Sequence, residues 1–217
     1  ADVLVLRVDF TGEFSVIRNA RELVWYPSEV DTSIRTGWFY HPEEDTDVRT
    51  AAELLDIYLD AVGANASLLL NIPPDTHGRI AAPDCASLAE LGAKIRQIFA
   101  SNVTEKAAIA ADSAIAQHPI TQAVDGMADT YWQAAYGQES DTITLKFQKP
   151  QKVSCVVLGE HLPTGQRIES GEIWADGSKA SEFTVVGHKR ICRFAPVDVL
   201  TLTIKITASR TEPTLRL

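Results

Sequence analysis

The sequence predicts an α/β part followed by an all-β part, and three observations carry that expectation. Up to about residue 104, continuous apolar runs alternate with segments of helical period. From about residue 105, short β-branched runs follow one another, separated by Gly, Pro, Asp and Ser. Between them, at residues 102–106, the chain changes character, so the expected parts are residues 1–104 and 105–217.

Residues 3–6, Val-Leu-Val-Leu, form a continuous apolar run, the pattern of a strand buried on both faces of a parallel sheet. Residues 7–24 show no clear period and are expected as loop or weak strand. Thr50 and Glu53 fit a capping box, in which the threonine oxygen takes an orphan amide and the glutamate reaches back. Leu54, Leu55, Tyr58, Leu59 and Val62 then recur at helical spacing, and Gly63 suits the position just past the helix. Residues 68–72, Leu-Leu-Leu-Asn-Ile, form a second buried strand, stopped by Pro73 and Pro74. A second amphipathic helix carries Leu88, Leu91, Ile95 and Ile98 on one face. Strand, loop, helix, strand, loop, helix is the rhythm of an α/β barrel. A whole barrel takes roughly 250 residues, so this part supplies only its last two or three units. Beyond it, runs at 143–147, 153–158, 171–174, 183–186 and 200–206 predict an antiparallel β-sandwich.

Composition narrows the function classes. A net charge of −9 argues against nucleic acid and anionic membranes, both of which call for a basic surface; neutral sugars are compatible with it. No apolar run approaches the ~20 residues of a membrane helix. Residues 1–9 lack a positive n-region and a cleavage site, so they do not read as a signal peptide. Cys85, Cys155 and Cys192 are odd in number and widely spaced, which fits neither a zinc site nor a disulfide framework; buried free thiols are expected. Asn65 and Asn102 open glycosylation sequons, and Asn65 is discounted because an apolar strand follows it.

Chemistry concentrates after Trp25. Glu29 and Asp31 stand two residues apart, so on a strand both side chains share one face. In an α/β barrel, reactive groups collect at the C-terminal strand ends. Trp25 and Trp38 could stack on a sugar ring and Arg35 could orient a carboxylate. Composition alone favours the blander alternative, a surface acid pair beside two core tryptophans.

The continuous run from Glu29 to Asp45 reads E-x-D-x-S-I-R-x-G-W-F-Y-H-x-E-E-D. Together with L-L-L-N-I-P-P at 68–74, it resembles the α-1,3/1,4 branch of the α-L-fucosidases of glycoside hydrolase family 29, closely over residues 25–80 and more weakly to about 100. Thr36 departs from that pattern, where relatives often carry proline. The resemblance implies the end of a catalytic (β/α)8 barrel and a retaining exo-glycosidase that releases L-fucose from fucosylated glycans. It also implies an aspartate nucleophile and a glutamate acid/base, the latter falling on Glu29. Retaining chemistry sets the two carboxyl groups about 5–5.5 Å apart, and burial or a neighbouring negative charge keeps the acid protonated near neutral pH. In the family the nucleophile belongs to an earlier strand, and nothing before Glu29 resembles its context. The chain is therefore expected to carry half a site, the missing barrel segment coming from another chain or from further polypeptide. The substrate class implies an extracellular or periplasmic setting.

Other residues of the run have two readings each. Trp38 is a platform for the sugar's apolar face or a core residue. Arg35 orients Glu29 or neutralises Asp31. Asn71 reaches the pocket or caps its own loop, the loop being favoured. His41 contacts the aglycone or is structural. The acids at 43–47 lack the glycine-bearing spacing of a calcium loop and read as a solvated run at a helix N-terminus.

In the second part, residues 123–132, A-V-D-G-M-A-D-T-Y-W, resemble the early turn of discoidin-like modules, with further similar segments at 158–160, 165–168 and 187–191. Some such modules bind galactosides at the sandwich rim, and some hold a structural calcium near the Asp-Gly turn. Asp125 and Asp129 would be its ligands here; no other cofactor is implied. Trp132 reads as a core anchor, and bracing of the barrel is the favoured role of the module. A non-catalytic carbohydrate-binding or scaffold protein is the alternative for the chain as a whole.

Overall fold

The computed structural model describes residues 28–217, together with the backbone of β1 (Val3–Leu6) and β2 (Glu22–Trp25). Residues 7–21 and the side chain of Trp25 lie outside the described residues. The chain divides into two compact units, one of Ala1–Val62 and Ala66–Asn102, the other of Gly63–Asn65 and Val103–Leu217. An α/β part is followed by an antiparallel β region, the expected fold class.

In the first unit, β1 pairs in parallel with β2. Strand β3 (Glu29–Ser33) pairs in parallel with β4 (Ser67–Asn71), in a register from Glu29 opposite Ser67 to Ser33 opposite Asn71. Helix α1 (Ala51–Val62) connects the strands of the second pair and α2 (Ala82–Ile98) follows. The expected capping box opens α1: Thr50 N–H donates to Glu53 Oε2 at 2.8 Å, and Glu53 N–H to Thr50 Oγ1 at 3.3 Å. Its other end differs from expectation. The left-handed residue is Asn65 (φ 69°) rather than Gly63, and Ala66 N–H closes back on Ala61 O at 3.0 Å. That six-to-one bond marks a Schellman cap, and asparagine tolerates the left-handed region better than most residues with a Cβ.

Ile34, Ala51, Leu54 and Leu91 form the core of this unit, with Leu55, Leu70, Ile72, Leu88 and Ile95 packed around them. Strand side chains alternate between faces, so Leu70 looks towards the helices while Leu69 and Asn71 look away. Through the register, Glu29, Asp31 and Ser33 share that second face. It is partly open, with Leu69 50% exposed. No helix among the described residues is long and apolar enough to cross a membrane.

The second unit is built on a five-stranded antiparallel sheet in the order β5-β7-β10-β8-β9. These strands are β5 (Ala107–Ala111), β7 (Asp141–Leu158), β8 (Ile168–Ala175), β9 (Ser178–Phe183) and β10 (Arg190–Ser209). A second pair joins β6 (Trp132–Gln133) to β11 (Thr214–Leu215). The core contains Trp132, Ile143, Leu145, Leu158, Ile168, Ile173, Ile204 and Leu215, each at most 1% exposed. Trp132 is the anchor expected of it, and its indole N–H donates to Ser113 O at 2.9 Å.

Two strand expectations change. The runs at 143–147 and 153–158 belong to one strand, which continues through Pro150. Opposite it, β10 slips register between Val199 and Thr201, so Pro150 falls where the ladder is already broken and its missing N–H costs little. The run at 183–186 is not a strand beyond Phe183. Val185 and Val186 are buried, at 9% and 0% exposed, but outside the sheet. Their apolar side chains were the strand signal, yet the backbone turns away at Gly187 (φ 62°).

Glu160 holds that turn. Its fully buried carboxylate accepts from the backbone N–H groups of Arg167 (2.7 Å), Ile168 (2.9 Å) and Gly187 (2.7 Å). Burial pushes its pKa up, and the three amides only partly oppose this. The segments 158–160, 165–168 and 187–191, separate in sequence, thus meet on one carboxylate.

The cysteine expectation is corrected in part. Cys192 is buried and Cys155 half-buried, but Cys85 is exposed. The inward stripe of α2 runs through Asp84, Leu88, Leu91 and Ile95, which leaves Cys85 to one side. Burial pushes the Cys192 thiol up to about 12, so it stays protonated. A thiol reagent followed by peptide mass mapping should therefore modify Cys85 first, Cys155 more slowly, and Cys192 only after unfolding.

Gly171 is required by close packing. A Cβ there would overlap the Phe183 ring and lie 2.5 Å from Lys205 O. Gly171→Ala is expected to destabilise by about 3 kcal/mol, the upper end of overpacking costs, as a fall in the denaturant midpoint at unchanged slope.

Candidate functional site

The last residues of β3 and β4, Ser33 and Asn71, are register partners and the foundation of a tight turn. Ser33 Oγ donates to Gly37 O at 2.7 Å. Asn71 Nδ2 donates to Ser33 Oγ at 3.1 Å and to Trp38 O at 3.0 Å. The turn is stitched at the C-terminal strand ends, and it presents Trp38 and Phe39 to solvent, 52% and 77% exposed. Asn71 therefore anchors a neighbouring loop rather than its own.

Arg35 closes the turn from below. Its side chain is fully buried: Nε donates to Asp84 Oδ2 at 3.1 Å, Nη2 to Asp45 Oδ1 at 2.8 Å and Nη1 to His41 O at 3.3 Å. The guanidinium also stands 4.7 Å from the centre of the Tyr40 ring, and Tyr40 O–H donates weakly to Asp45 Oδ2 at 3.4 Å. Burial alone would lower the Arg35 pKa; Asp45 and Asp84 more than offset it, so the group remains charged. Neither Glu29 nor Asp31, its expected partners, is among these contacts, which corrects that pairing. Direct contact between Arg35 and a substrate is closed off as well, because no part of its side chain reaches solvent.

Glu29 is exposed and opens β3, at the end away from the turn. Four residues at ~3.3 Å each put it about 13 Å from Ser33 along the strand. The carboxylate, arginine and aromatics thus do not share one strand end; Ser33, Arg35, Trp38 and Asn71 do. Trp25 ends β2, and its side chain is outside the described residues. His41 is exposed, its Nδ1 4.0 Å from Glu43 Oε1. The acid run is only partly solvated: Pro42–Glu44 forms a 3-10 turn, Asp45 takes Arg35, and Asp47 accepts from Thr36 Oγ1 at 3.0 Å.

Sequence reasoning missed Asp84. It is 0% exposed in the first turn of α2, and its Oδ1 has no hydrogen-bond partner among the described residues. The signal was present: an aspartate on the apolar stripe of a helix calls for a buried partner. The β unit holds a second unforeseen cluster, Tyr131 stacked between His118 and His161 with ring centres 3.9 Å apart on each side. Asp125 caps its own turn, accepting from Met127 N–H at 2.9 Å and from Thr130 Oγ1, while Asp129 is exposed. Among the described residues, no group of three or more His, Cys, Asp or Glu is placed to hold a metal ion.

Removing the Asn71 stitch should loosen the turn at modest cost. Asn71→Ala is expected to lose about 1–2 kcal/mol, for two hydrogen bonds in a half-buried site, measured by equilibrium unfolding.

Comparison with known proteins gives a consistent picture. The family model described as alpha-L-fucosidase matches residues 13–97. Alpha-L-fucosidase 1 of Arabidopsis thaliana is 32% identical over 201 residues, covering 87% of this chain and 39% of the relative. A putative α-L-fucosidase from Bacteroides thetaiotaomicron superposes with a TM-score of 0.83 at 30% identity, over 91% of this chain and 44% of the other. A family 29 fucosidase of Ruminococcus gnavus, solved in complex with fucose, gives a TM-score of 0.80 at 27% identity, over 91% and 41%. The chain spans about two-fifths of the length of the curated relative. Over the matched part of their length, the chain is similar to α-L-fucosidases in sequence and in fold.

Proposed function

We propose that this chain is the C-terminal portion of a retaining α-L-fucosidase of the α-1,3/1,4 branch, acting on fucosylated glycans. The observation that carries this is the run from Glu29 to Asp45, which lies inside the family match and folds into the stitched turn at two parallel strand ends. Fucose bound to the Ruminococcus gnavus fucosidase supports the sugar. In this reading residues 1–104 belong to a catalytic barrel and 105–217 form a discoidin-like module. The rest of the barrel, nucleophile included, comes from further polypeptide or another chain.

Two assignments of the acid/base follow. The motif puts it on Glu29, which would protonate the leaving oxygen and then activate water for the second displacement. The distance of Glu29 from the strand ends favours a second assignment. There the acid/base lies outside this chain's described residues, and the chain contributes the Trp38 turn to the sugar side of the site. Arg35 serves the turn in both, and Asn71 with it.

Hydrolysis of an aryl α-L-fucoside by the chain together with the polypeptide that completes its barrel tests the reading, with Glu29→Gln beside it. Turnover lost in the variant and restored by azide supports Glu29 as the acid/base. Turnover retained in the variant moves that role elsewhere. No turnover with fucose binding intact supports a non-catalytic carbohydrate-binding chain, and neither activity nor binding sinks the fucosidase reading for this chain.

A further inference from the structure

We propose that Asp84 is a positioning residue for sugar binding, acting through Arg35 on the turn that presents Trp38 and Phe39; the inference rests on the fucosidase reading above. The turn is held on both sides. Ser33 and Asn71 fix Gly37 O and Trp38 O from the strand ends, and Arg35 fixes His41 O, Tyr40 and Asp45 beyond the aromatics. This much polar apparatus surrounds two aromatic side chains left largely in water.

Asp84 is the buried end of that apparatus. Both it and Arg35 have fully buried side chains, so the pair is desolvated, and one oxygen of Asp84 finds no partner among the described residues. An apolar pair of similar volume would pack as stably, because a buried ion pair returns little beyond its desolvation cost. Direction is what the apolar pair would lack. A guanidinium offers its donors in a rigid planar fork, so anchoring Nε on Asp84 sets the plane that brings Nη1 to His41 O and Nη2 to Asp45. A ring fixed beforehand binds the apolar face of a pyranose without losing rotamer freedom on contact. The ligand class is accordingly a sugar ring with an exposed C–H face, stacked on Trp38.

The test is the double variant Arg35→Met/Asp84→Leu in the full chain, with Asp84→Asn read in the same way where the double variant fails to fold. The chain is labelled with fluorotryptophan, and Trp38→Phe assigns the Trp38 resonance. We expect the melting temperature to hold and the Trp132 fluorine signal to stay in place. The Trp38 signal should move towards its solvent-exposed position. Affinity for L-fucose should fall several-fold, and for an aryl fucoside the loss should appear in KM rather than kcat. An unmoved Trp38 signal with unchanged affinity in a folded variant would overturn the proposal and leave the pair purely structural. A parent chain that binds no fucose would instead overturn the fucosidase reading and the sugar half of the proposal, while the fluorine signal still decides whether Asp84 positions the turn.

Discussion

The α/β unit depends on one buried cation. Arg35 sits where the chain leaves β3, and satisfying its donors dictates what the next residues do. Asp45 must return to it, which closes the loop after Trp38; Asp84 must face inward, which sets the rotation of α2 about its axis. The stripe Asp84, Leu88, Leu91, Ile95 is the consequence. Desolvating each ion costs several kcal/mol, so the pair specifies geometry more than it adds stability. Removing Arg35 alone would leave Asp84 as an uncompensated charge in the core, whereas neutralising Asp84 leaves Arg35 paired with Asp45.

The β unit solves a similar problem with an anion. Among the described residues no cation is in direct contact with the Glu160 carboxylate oxygens; three backbone amides serve instead. Amides cannot neutralise a charge, which is why burial wins and the pKa rises. They can, however, tie three loops to one point, and Arg216 adds a bond to Glu160 O at 3.1 Å. In both units a desolvated charge ties together segments that are separate in the sequence.

Much of this architecture was legible because it is periodic or local. The capping box at Thr50, the apolar runs of β4 and β7, and the stripe of α2 follow from spacing within a dozen residues. Three failures share a physical cause. Gly63 lost the left-handed position to Asn65, whose side-chain amide donates to Val186 O at 3.1 Å and whose oxygen accepts from Lys189 N–H at 2.8 Å. Val185 and Val186 read as strand because burial and pairing leave the same mark on sequence. Asp84 was passed over because its partner is 49 positions away. Spacing reports which residues share an element, and it is silent on which elements share a charge.

The same limit explains the candidate site. A motif read as a string sets Glu29, Arg35 and Trp38 side by side, but a strand converts sequence distance into length. Six steps lead from Glu29 to Arg35, and four of them run along β3 before the chain turns. A turn, by contrast, brings Gly37 within hydrogen-bond reach of Ser33 and Trp38 within reach of Asn71. Residues after Ser33 therefore gather at one point, whereas those before it are spread along the sheet. Glu29 can still face the interior of a completed barrel, since it shares a face with Asp31, Leu69 and Asn71. In the proposed reading an acid there would be enclosed by the strands that complete the barrel, whereas the Trp38 turn stands at the strand ends, where such a barrel opens.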